Sequence, residues 1–182
     1  GAFLTASTDT ISWRLRTAGL NTQSITGLTY GGGYYLATSV NYLNQGNILV
    51  STDSINWVSR TTGATNYFGT TSGGISGPII LYSGSLYVAG GSSGAIITST
   101  NTIGWTLRTT GFGTSSLYSI AYGSGLTEAY FASTVNFSSS STDTITWVIR
   151  TTAIGTGNSL TSVIFANSLY VASGSTYITI ST

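Results

Sequence analysis

The sequence predicts an all-β protein, and within that class a β-propeller of about four four-stranded blades. One segment recurs four times along the 182 residues, at intervals of 42–48 residues that match the length of a propeller blade. The recurring segments are rich in Ile, Val, Tyr, Trp and Thr, which favour strands. No segment combines a helical spacing of apolar residues with helix caps. An open array resembling a β-solenoid is the alternative architecture.

The repeat is marked by a Ser-Thr-Asp-x-Ile-x-Trp segment, with an arginine three residues after the tryptophan. The tryptophans are 44, 48 and 42 residues apart, and the third copy has Asn in place of Asp. The Asp or Asn side chain can cap its own turn by accepting a backbone N–H two residues further along. The residues that we assign to this structural repeat are Asp9, Asp53, Asn101, Asp143, Trp13, Trp57, Trp105, Trp147, Arg16, Arg60, Arg108 and Arg150.

Each unit divides into four short strands, which we call a, b, c and d. In the unit that contains Trp57 they cover residues 25–30, 34–38, 48–51 and 55–60. The run from Gly31 to Gly33 stands where strand a turns into strand b, because glycine adopts positive φ angles at little cost. The segment around Asp53 stands where strand c turns into strand d.

The chain starts and ends within the repeat, so its strand count exceeds four blades by one. It opens with strands c (3–7) and d and closes with strands a, b and c (177–181), which predicts seventeen strands. Ring closure would pair the first c and d strands with the last a and b strands, and would leave one c strand surplus. That strand either overlaps its twin at the seam or begins a further repeat. We therefore treat residues 1–182 as a single propeller domain of four tandem repeats, or as a segment of a longer repeat protein.

The composition excludes many kinds of site. Charged residues are 5% of the chain, and there is no His or Cys. Disulfides, thiol chemistry, a Ser-His-Asp triad and an ordinary zinc site are therefore excluded. The net charge of +1 offers no basic surface for nucleic acid. No apolar run reaches the roughly 20 residues of a membrane span. We expect no cofactor, no metal, no nucleic-acid partner and no membrane insertion.

The Ser-x-Asp-x-Ile-x-Trp segment resembles a shortened form of the Asp-box of sialidases and other propellers, which reads Ser-x-Asp-x-Gly-x-Thr-Trp. The whole unit, with its Arg-Thr-Thr-Gly, Tyr-Gly-x-Gly and Leu-Tyr-Val-Ala segments, is similar to repeats in phage tail-fibre and other appendage proteins, notably those of cyanophages, and in secreted bacterial surface proteins. In the Asp-box family the aspartate belongs to a structural turn remote from the ligand. The resemblance implies that role for Asp9, Asp53, Asn101 and Asp143, and a location on a virion surface or outside the cell.

Catalysis is not expected from the acidic residues. Glycoside hydrolysis normally uses two carboxyl groups roughly 5–10 Å apart. Asp9, Asp53 and Asp143 occupy one repeat position and so belong to different blades, and Glu128 is the only other acid. We therefore predict no catalytic residues and no enzyme, with a sialidase-like glycosidase as the least favoured alternative.

The repeated tryptophans and arginines are expected to serve the scaffold. We predict that the tryptophans pack between blades, with each indole N–H bonded to a neighbouring carbonyl. The alternative is that they stack on sugars. We predict that the arginines tie strand d to a neighbouring backbone or to the turn that carries the aspartate, the alternative being an anionic ligand.

Two connections are longer than their counterparts and lie on the same predicted face of the propeller. They are the b–c connection at residues 39–47 and the d–a connection at residues 63–77. Loops on a rigid scaffold often bind ligands, and aromatic rings with amides suit neutral sugars. Tolerated surface insertion is the alternative. The predicted ligand-binding residues are Asn41, Tyr42, Asn44, Gln45, Asn66, Tyr67 and Phe68.

Together these observations predict a non-enzymatic, lectin-like module of a phage appendage or secreted surface protein, with a cell-surface glycan as its ligand. The alternative is a structural protein, a spacer or decoration unit that associates with copies of itself or with other virion proteins. The surplus c strand favours self-association, because an unpaired edge strand invites pairing with another chain.

Overall fold

The computed structural model describes residues 3–17, 23–41, 46–63, 79–108, 110–124, 130–134, 137–150, 159–174 and 177–181. These residues form seventeen strands, the number that the repeat predicts. Nothing in these ranges forms a helix long and apolar enough to cross a membrane. The strands are β1 (Phe3–Ala6), β2 (Arg14–Thr17), β3 (Gln23–Gly31), β4 (Tyr34–Asn41), β5 (Gly46–Ser51), β6 (Val58–Arg60), β7 (Ile79–Tyr82), β8 (Tyr87–Gly90), β9 (Ile96–Ser99), β10 (Thr106–Arg108), β11 (Leu117–Tyr122), β12 (Tyr130–Thr134), β13 (Ser138–Ser141), β14 (Val148–Arg150), β15 (Leu160–Ala166), β16 (Leu169–Gly174) and β17 (Ile178–Ser181).

The strands are arranged in antiparallel sheets in which each strand pairs with the next one in the chain. Three sheets have four strands in the order a, b, c, d: blade 1 (β3–β6), blade 2 (β7–β10) and blade 3 (β11–β14). An N-terminal sheet (β1–β2) consists of strands c and d, and a C-terminal sheet (β15–β17) of strands a, b and c. The chain is therefore an all-β β-propeller of about four four-stranded blades, which confirms the predicted fold.

Strand d is shorter than the sequence predicts. In blade 1 the sequence predicts strand d over residues 55–60, but β6 covers only Val58–Arg60. The reason is that the Asp53 carboxylate accepts the N–H groups of Ile55 and Asn56. Those two donors belong to the turn and are not available to a strand ladder.

The hydrophobic core lies between successive sheets. Side chains alternate along each strand, so every sheet has an N-side face toward the sheet that precedes it in the chain and a C-side face toward the sheet that follows. Leu36 and Ile48 on the C-side face of blade 1 pack with Tyr87 and Ile97 on the N-side face of blade 2, and all four are buried. Corresponding clusters join blade 2 to blade 3 and blade 3 to the C-terminal sheet. These close-packed interfaces set the position of each blade against the next.

A tyrosine hydroxyl on strand b adds a polar link between neighbouring blades. The Tyr87 hydroxyl donates to the Gly31 carbonyl oxygen at 2.7 Å, and the Tyr130 hydroxyl bonds to Ser83 Oγ at 2.9 Å. Burial raises the pKa of both tyrosines. Both phenols therefore remain protonated donors at neutral pH.

The glycine run of the first a–b turn has two separate functions. Gly32 and Gly33 have φ angles of 58° and 84°, as expected for a tight hairpin turn. Gly31, in contrast, lies at the end of β3, where a Cβ atom would overlap the ring of Tyr82 in the next blade. The sequence pattern places Gly31 in the turn, whereas the structure shows that packing between blades requires a glycine there.

Candidate functional site

The four c–d turns share one hydrogen-bonded structure, which we call the Asp turn and which covers residues 7–13, 51–57, 99–105 and 141–147. In the first turn, Asp9 Oδ1 accepts the N–H groups of Ile11 and Ser12 at 2.9 and 2.7 Å. The Ser7 hydroxyl donates to the same oxygen at 2.8 Å. The other three turns repeat these bonds, with N···O distances of 2.7–3.0 Å. Because the third turn uses the amide oxygen of Asn101, the structure needs an acceptor and not a charge.

The residue after the Asp or Asn links each Asp turn to its tryptophan. This residue is Thr10, Ser54, Thr102 or Thr144, with φ between 61° and 65°. Its carbonyl oxygen accepts the indole N–H of the tryptophan three residues later at 3.0–3.2 Å. Left-handed φ angles are costly for residues other than glycine and persist where the surroundings hold them. The bonds to the Asp or Asn side chain supply that restraint.

The hydrogen bonds of the Asp turns keep the three aspartates ionised. The backbone N–H of Ser12, followed by the Ser7 hydroxyl, lowers the pKa of Asp9 to about 2. The pKa values of Asp53 and Asp143 are also lowered, mainly by backbone N–H donors. A carboxyl group with a lowered pKa carries no proton to donate at neutral pH, which makes it unsuited to act as a general acid. The three carboxylates also lie in separate sheets.

Three of the four tryptophans are half-buried against the preceding sheet. Trp57 and Leu4 of the N-terminal sheet pack on the same cluster of Ala37 and Leu49, and Trp105 packs on the cluster between blades 1 and 2. The ring of Trp147 lies 5.5 Å from that of Phe112, between blades 2 and 3. Trp13 belongs to the first sheet of the described chain and is 61% exposed. Its turn nevertheless has the same hydrogen bonds as the other three.

The four arginines of the repeat, Arg16, Arg60, Arg108 and Arg150, lie in four different sheets and do not converge on one site. Arg108 Nε donates to Thr98 Oγ1 at 3.0 Å, and Arg150 Nε donates to Ser140 Oγ at 2.8 Å. In both cases the partner is a hydroxyl on the adjacent strand c. The sequence predicts a neighbouring backbone group or the Asp turn as the partner of these arginines.

The other two arginines of the repeat lack this hydroxyl. The equivalent position holds Val50 in blade 1 and Ala6 in the N-terminal sheet. Accordingly, the Nε atoms of Arg60 and Arg16 are buried without a hydrogen-bond partner among the described residues. An unpaired buried donor lowers the stability of the folded chain. The N-terminal sheet and blade 1 therefore lack a stabilising hydrogen bond that blades 2 and 3 have.

Most of the predicted ligand-binding residues lie outside the part of the chain that the structure describes. These are Tyr42, Asn44, Gln45, Asn66, Tyr67 and Phe68, and Glu128 lies outside it as well. Asn41 is the last residue of β4, where it pairs with Gln23 and is half-buried.

A cleft of about 420 Å³ opens beside blade 2. Its walls are the b–c turn of that blade, its d–a connection and the end of β10. The lining residues are Ser93, Gly94, Ala95, Leu107, Arg108, Thr110, Gly111, Phe112 and Gly113. Its volume lies within the range of small-molecule sites. Arg108 is the one charged side chain in the lining.

The walls of the cleft are held together by hydrogen bonds between the b–c turn and the d–a connection. Gly94 N–H donates to the Ser115 carbonyl at 2.7 Å, Leu117 N–H donates to the Gly91 carbonyl at 3.0 Å, and the Thr110 hydroxyl donates to the Gly94 carbonyl. These bonds place the two connections on one face of blade 2. The sequence predicts ligand binding on this type of face, which is formed by the b–c and d–a connections.

This cleft could not be predicted from the sequence, because its lining is mostly small residues and backbone. The one available signal is Phe112 between two glycines, an aromatic in a connection where the other repeats have none at that place. Phe112 is buried, with its ring 5.9 Å from that of Phe137. It therefore forms the floor of the cleft, while its glycine neighbours leave the walls open.

No protein-family model and no curated protein sequence matches this chain. Among solved structures, the chain is similar to YCF48 from Cyanidioschyzon merolae, with a TM-score of 0.66 and 17% identity over 93% of this chain and 57% of that one. It is also similar to YCF48 bound to D1 peptide, with a TM-score of 0.60 and 14% identity over 94% of this chain and 53% of that one. A glycosyl hydrolase from Bacteroides ovatus aligns with a TM-score of 0.49 and 16% identity over 87% of this chain and 62% of that one. The chain thus spans little more than half the length of the YCF48 structures, and what it shares with them is the β-propeller fold.

Proposed function

We propose that this propeller is a non-enzymatic binding module of a phage appendage or a secreted surface protein, and that it binds a neutral cell-surface glycan. The observation that carries the proposal is the cleft beside blade 2. It lies on the face formed by the b–c and d–a connections, it is large enough for a sugar, and its walls are fixed by hydrogen bonds. Loops held on a rigid scaffold are common binding sites.

The chemistry of the cleft suits a neutral sugar. Sugars present hydroxyl groups to hydrogen-bonding partners and C–H faces to apolar surface. The cleft is lined by the Ser93 hydroxyl and by the backbone of Gly111 and Gly113, with the Arg108 guanidinium as a further donor. Leu107, which is 49% exposed, supplies apolar surface that a ligand would cover.

The state of the aspartates supports a role without catalysis. Each of the three carboxylates accepts hydrogen bonds from two backbone N–H groups of its own turn. These bonds give each aspartate a structural role. Retaining and inverting glycosidases need a second carboxyl group that holds a proton. We expect no turnover of sialosides or hexosides by the whole chain.

The location on a virion or outside the cell rests on the sequence resemblance. The Asp turns have the serine, the acceptor side chain and the tryptophan of the shortened Asp-box pattern. Their repeat resembles those of phage appendage proteins. A surface built from uncharged hydroxyl residues, with only 5% charged residues overall, fits a module that contacts glycans by hydrogen bonding.

The test is glycan-array binding of the whole chain and of Leu107→Ser. Removing the leucine surface should weaken binding about tenfold, which is the size expected for losing one apolar contact. The matched control is Ile149→Ser, since Ile149 occupies the same strand position in blade 3, is 56% exposed and lies outside the cleft lining. Equal affinities for all three proteins would refute the assignment of the cleft.

A second variant distinguishes the cleft from the longer loops. Combining Tyr42→Ala, Tyr67→Ala and Phe68→Ala should leave binding unchanged if the cleft is the site. Loss of binding in this triple variant, with full binding by Leu107→Ser, would move the site to the loops. Absence of binding to any glycan would overturn the proposed function itself.

A further inference from the structure

We propose that Arg108 recognises a vicinal diol, that is, two hydroxyl groups on adjacent ring carbons of a hexose, and that Thr98 holds its guanidinium in position to do so. This inference rests on the proposed function, because it assigns to one side chain of the cleft the contact that selects the sugar. Arg108 is then the ligand-binding residue and Thr98 its positioning residue.

The guanidinium of Arg108 is fixed at one end. Its Nε donates to the Thr98 hydroxyl at 3.0 Å, and Thr98 is buried. Arg108 itself is half-buried at the end of β10, among the lining residues of the cleft. Within the described ranges, the bond to Thr98 is the one hydrogen bond that this guanidinium makes. The two Nη groups therefore remain available to a molecule in the cleft, and the bond to Thr98 restricts their orientation.

A guanidinium held in this way selects ligands that present two oxygen atoms side by side. It carries N–H donors in a rigid fork and has no acceptor. On a neutral hexose the matching pair is two hydroxyl oxygens on adjacent ring carbons. A carboxylate offers a similar pair, but the cleft lining contains no second cationic side chain. The net charge of +1 also gives the chain little attraction for anions, which favours the diol.

Two glycines of the d–a connection leave space for a sugar ring near this guanidinium. Gly111 and Gly113 line the cleft with φ angles of 70° and 59°, and a Cβ atom at either position would meet nothing within 4 Å. Gly94 on the opposite wall differs, because a Cβ atom there would overlap Phe112. A ligand can therefore approach the backbone of Gly111 and Gly113 closely.

The equivalent arginine of blade 3 provides an internal comparison. Arg150 Nε donates to Ser140 Oγ at 2.8 Å, so a second blade has an arginine fixed in the same way. Arg150 does not belong to the lining of the cleft. The comparison shows that either a serine or a threonine hydroxyl can accept this bond. It also shows that position beside the cleft is what distinguishes Arg108.

The test measures the affinity of the whole chain for defined sugars by NMR titration. The probes are the methyl glycosides of glucose, galactose and mannose, with their 2-, 3- and 4-deoxy derivatives. At least one parent glycoside should bind. Two derivatives that lack oxygens on adjacent carbons should bind about tenfold more weakly, because each loses a hydrogen bond to a charged donor. Arg108→Met should no longer distinguish these derivatives from the parent, whereas Arg150→Met should behave as the unchanged chain does.

The role of Thr98 is tested by the ratio of the affinities for the parent and the deoxy sugars, which a loss of stability alone does not change. Thr98→Val should reduce this ratio about threefold or more, and Thr98→Ser should restore it. In an Arg108→Met background, Thr98→Val should have no further effect on the ratio. An unchanged ratio in Thr98→Val, or no recovery in Thr98→Ser, would overturn the positioning role.

A further pair of variants separates failure of this inference from failure of the proposed function. Gly111→Asn places a side chain in the cleft and should weaken binding at least tenfold. Gly63→Asn is the matched control, since Gly63 has the equivalent position in blade 1, a φ of 68° and open space around it. If Gly111→Asn blocks binding while Arg108→Met keeps the preference for the parent sugar, only the diol inference is overturned. If neither variant changes binding, the cleft is not the glycan site.

A methyl glucuronide, which carries a carboxylate on the ring of the methyl glucoside, tests the competing ligand chemistry. It should bind no more tightly than the glucoside. Tighter binding that is lost in Arg108→Met would assign the guanidinium to a carboxylate and overturn the inference. Absence of binding by all three parent glycosides would overturn it as well, whereas glycan-array binding would then still support the proposed function.

Discussion

Arg108 Nε donates a hydrogen bond to Thr98 Oγ1 at 3.0 Å, and this pair joins strand d of blade 2 to strand c. The contact is diagonal, since Arg108 is directly opposite Ile96 and reaches the residue two positions further along. Blade 3 repeats it with Arg150 and Ser140. One arginine position thus meets a hydroxyl in two sheets and an aliphatic side chain in the other two.

The first prediction concerns the loss of this hydroxyl. Thr98→Val keeps the shape of the side chain and leaves Arg108 Nε without its partner, so it should lower the free energy of unfolding by about 1–2 kcal/mol. Urea denaturation measures this change. In an Arg108→Met background the same substitution should cost close to nothing, because no donor is left unpaired. An equal cost in both backgrounds would mean that the hydroxyl matters for another reason.

The second prediction is the reverse change in the N-terminal sheet. Ala6→Ser places a hydroxyl beside the buried Nε of Arg16, in the position that Ser140 holds in blade 3. It should raise the free energy of unfolding by about 1 kcal/mol. Adding Arg16→Met to the variant should abolish the gain. A gain that persists without the arginine would contradict the hydrogen bond as its cause.

The third prediction separates acceptor from charge in the Asp turn. Asp143→Asn retains the oxygen that accepts the N–H groups of Ile145 and Thr146, and Asn101 shows that an amide can do this. Its cost should be below about 0.5 kcal/mol, whereas Asp143→Ala should cost about 1–2 kcal/mol, as for the loss of a helix cap. The same denaturation measurement compares the two. Similar costs for Asn and Ala would show that the negative charge is required.

The fourth prediction is the pH dependence of stability. The pKa of Asp9 is lowered from 3.8 to about 2, and those of Asp53 and Asp143 are lowered as well. A lowered pKa in the folded state stabilises the protein above the unfolded-state pKa, and this contribution is lost as the pH falls through the folded-state pKa. Stability should therefore fall as the pH drops from about 4 to about 2. Replacing all three aspartates by asparagine should flatten the curve over this window. An unchanged acid transition in that variant would assign it to other groups.

The strand number and the fold could be predicted from the sequence because they depend on spacing that recurs in every unit. The start of strand d could not be predicted, because it depends on which backbone N–H groups donate to the Asp53 carboxylate. The cleft beside blade 2 could not be predicted, because residues such as Gly94 and Thr110 line it and leave no recognisable pattern in the sequence. The need for glycine at position 31 could not be predicted either, because the atoms that a side chain there would overlap belong to Tyr82 in the next blade.

The last prediction tests whether contact with Tyr82 is what requires glycine at position 31. Gly31→Ala should lower the free energy of unfolding by about 1–3 kcal/mol, the usual cost of overpacking, because the added Cβ overlaps the Tyr82 ring. Gly33→Asn is the matched control, since Gly33 has a positive φ but open space around it. Asparagine tolerates left-handed angles, so its cost should stay below about 1 kcal/mol. In a Tyr82→Gly background, Gly31→Ala should be nearly neutral, since both the ring and the Cβ atom that it meets are gone. A full cost in that background would place the strain in the Gly31 backbone and not in the contact between blades.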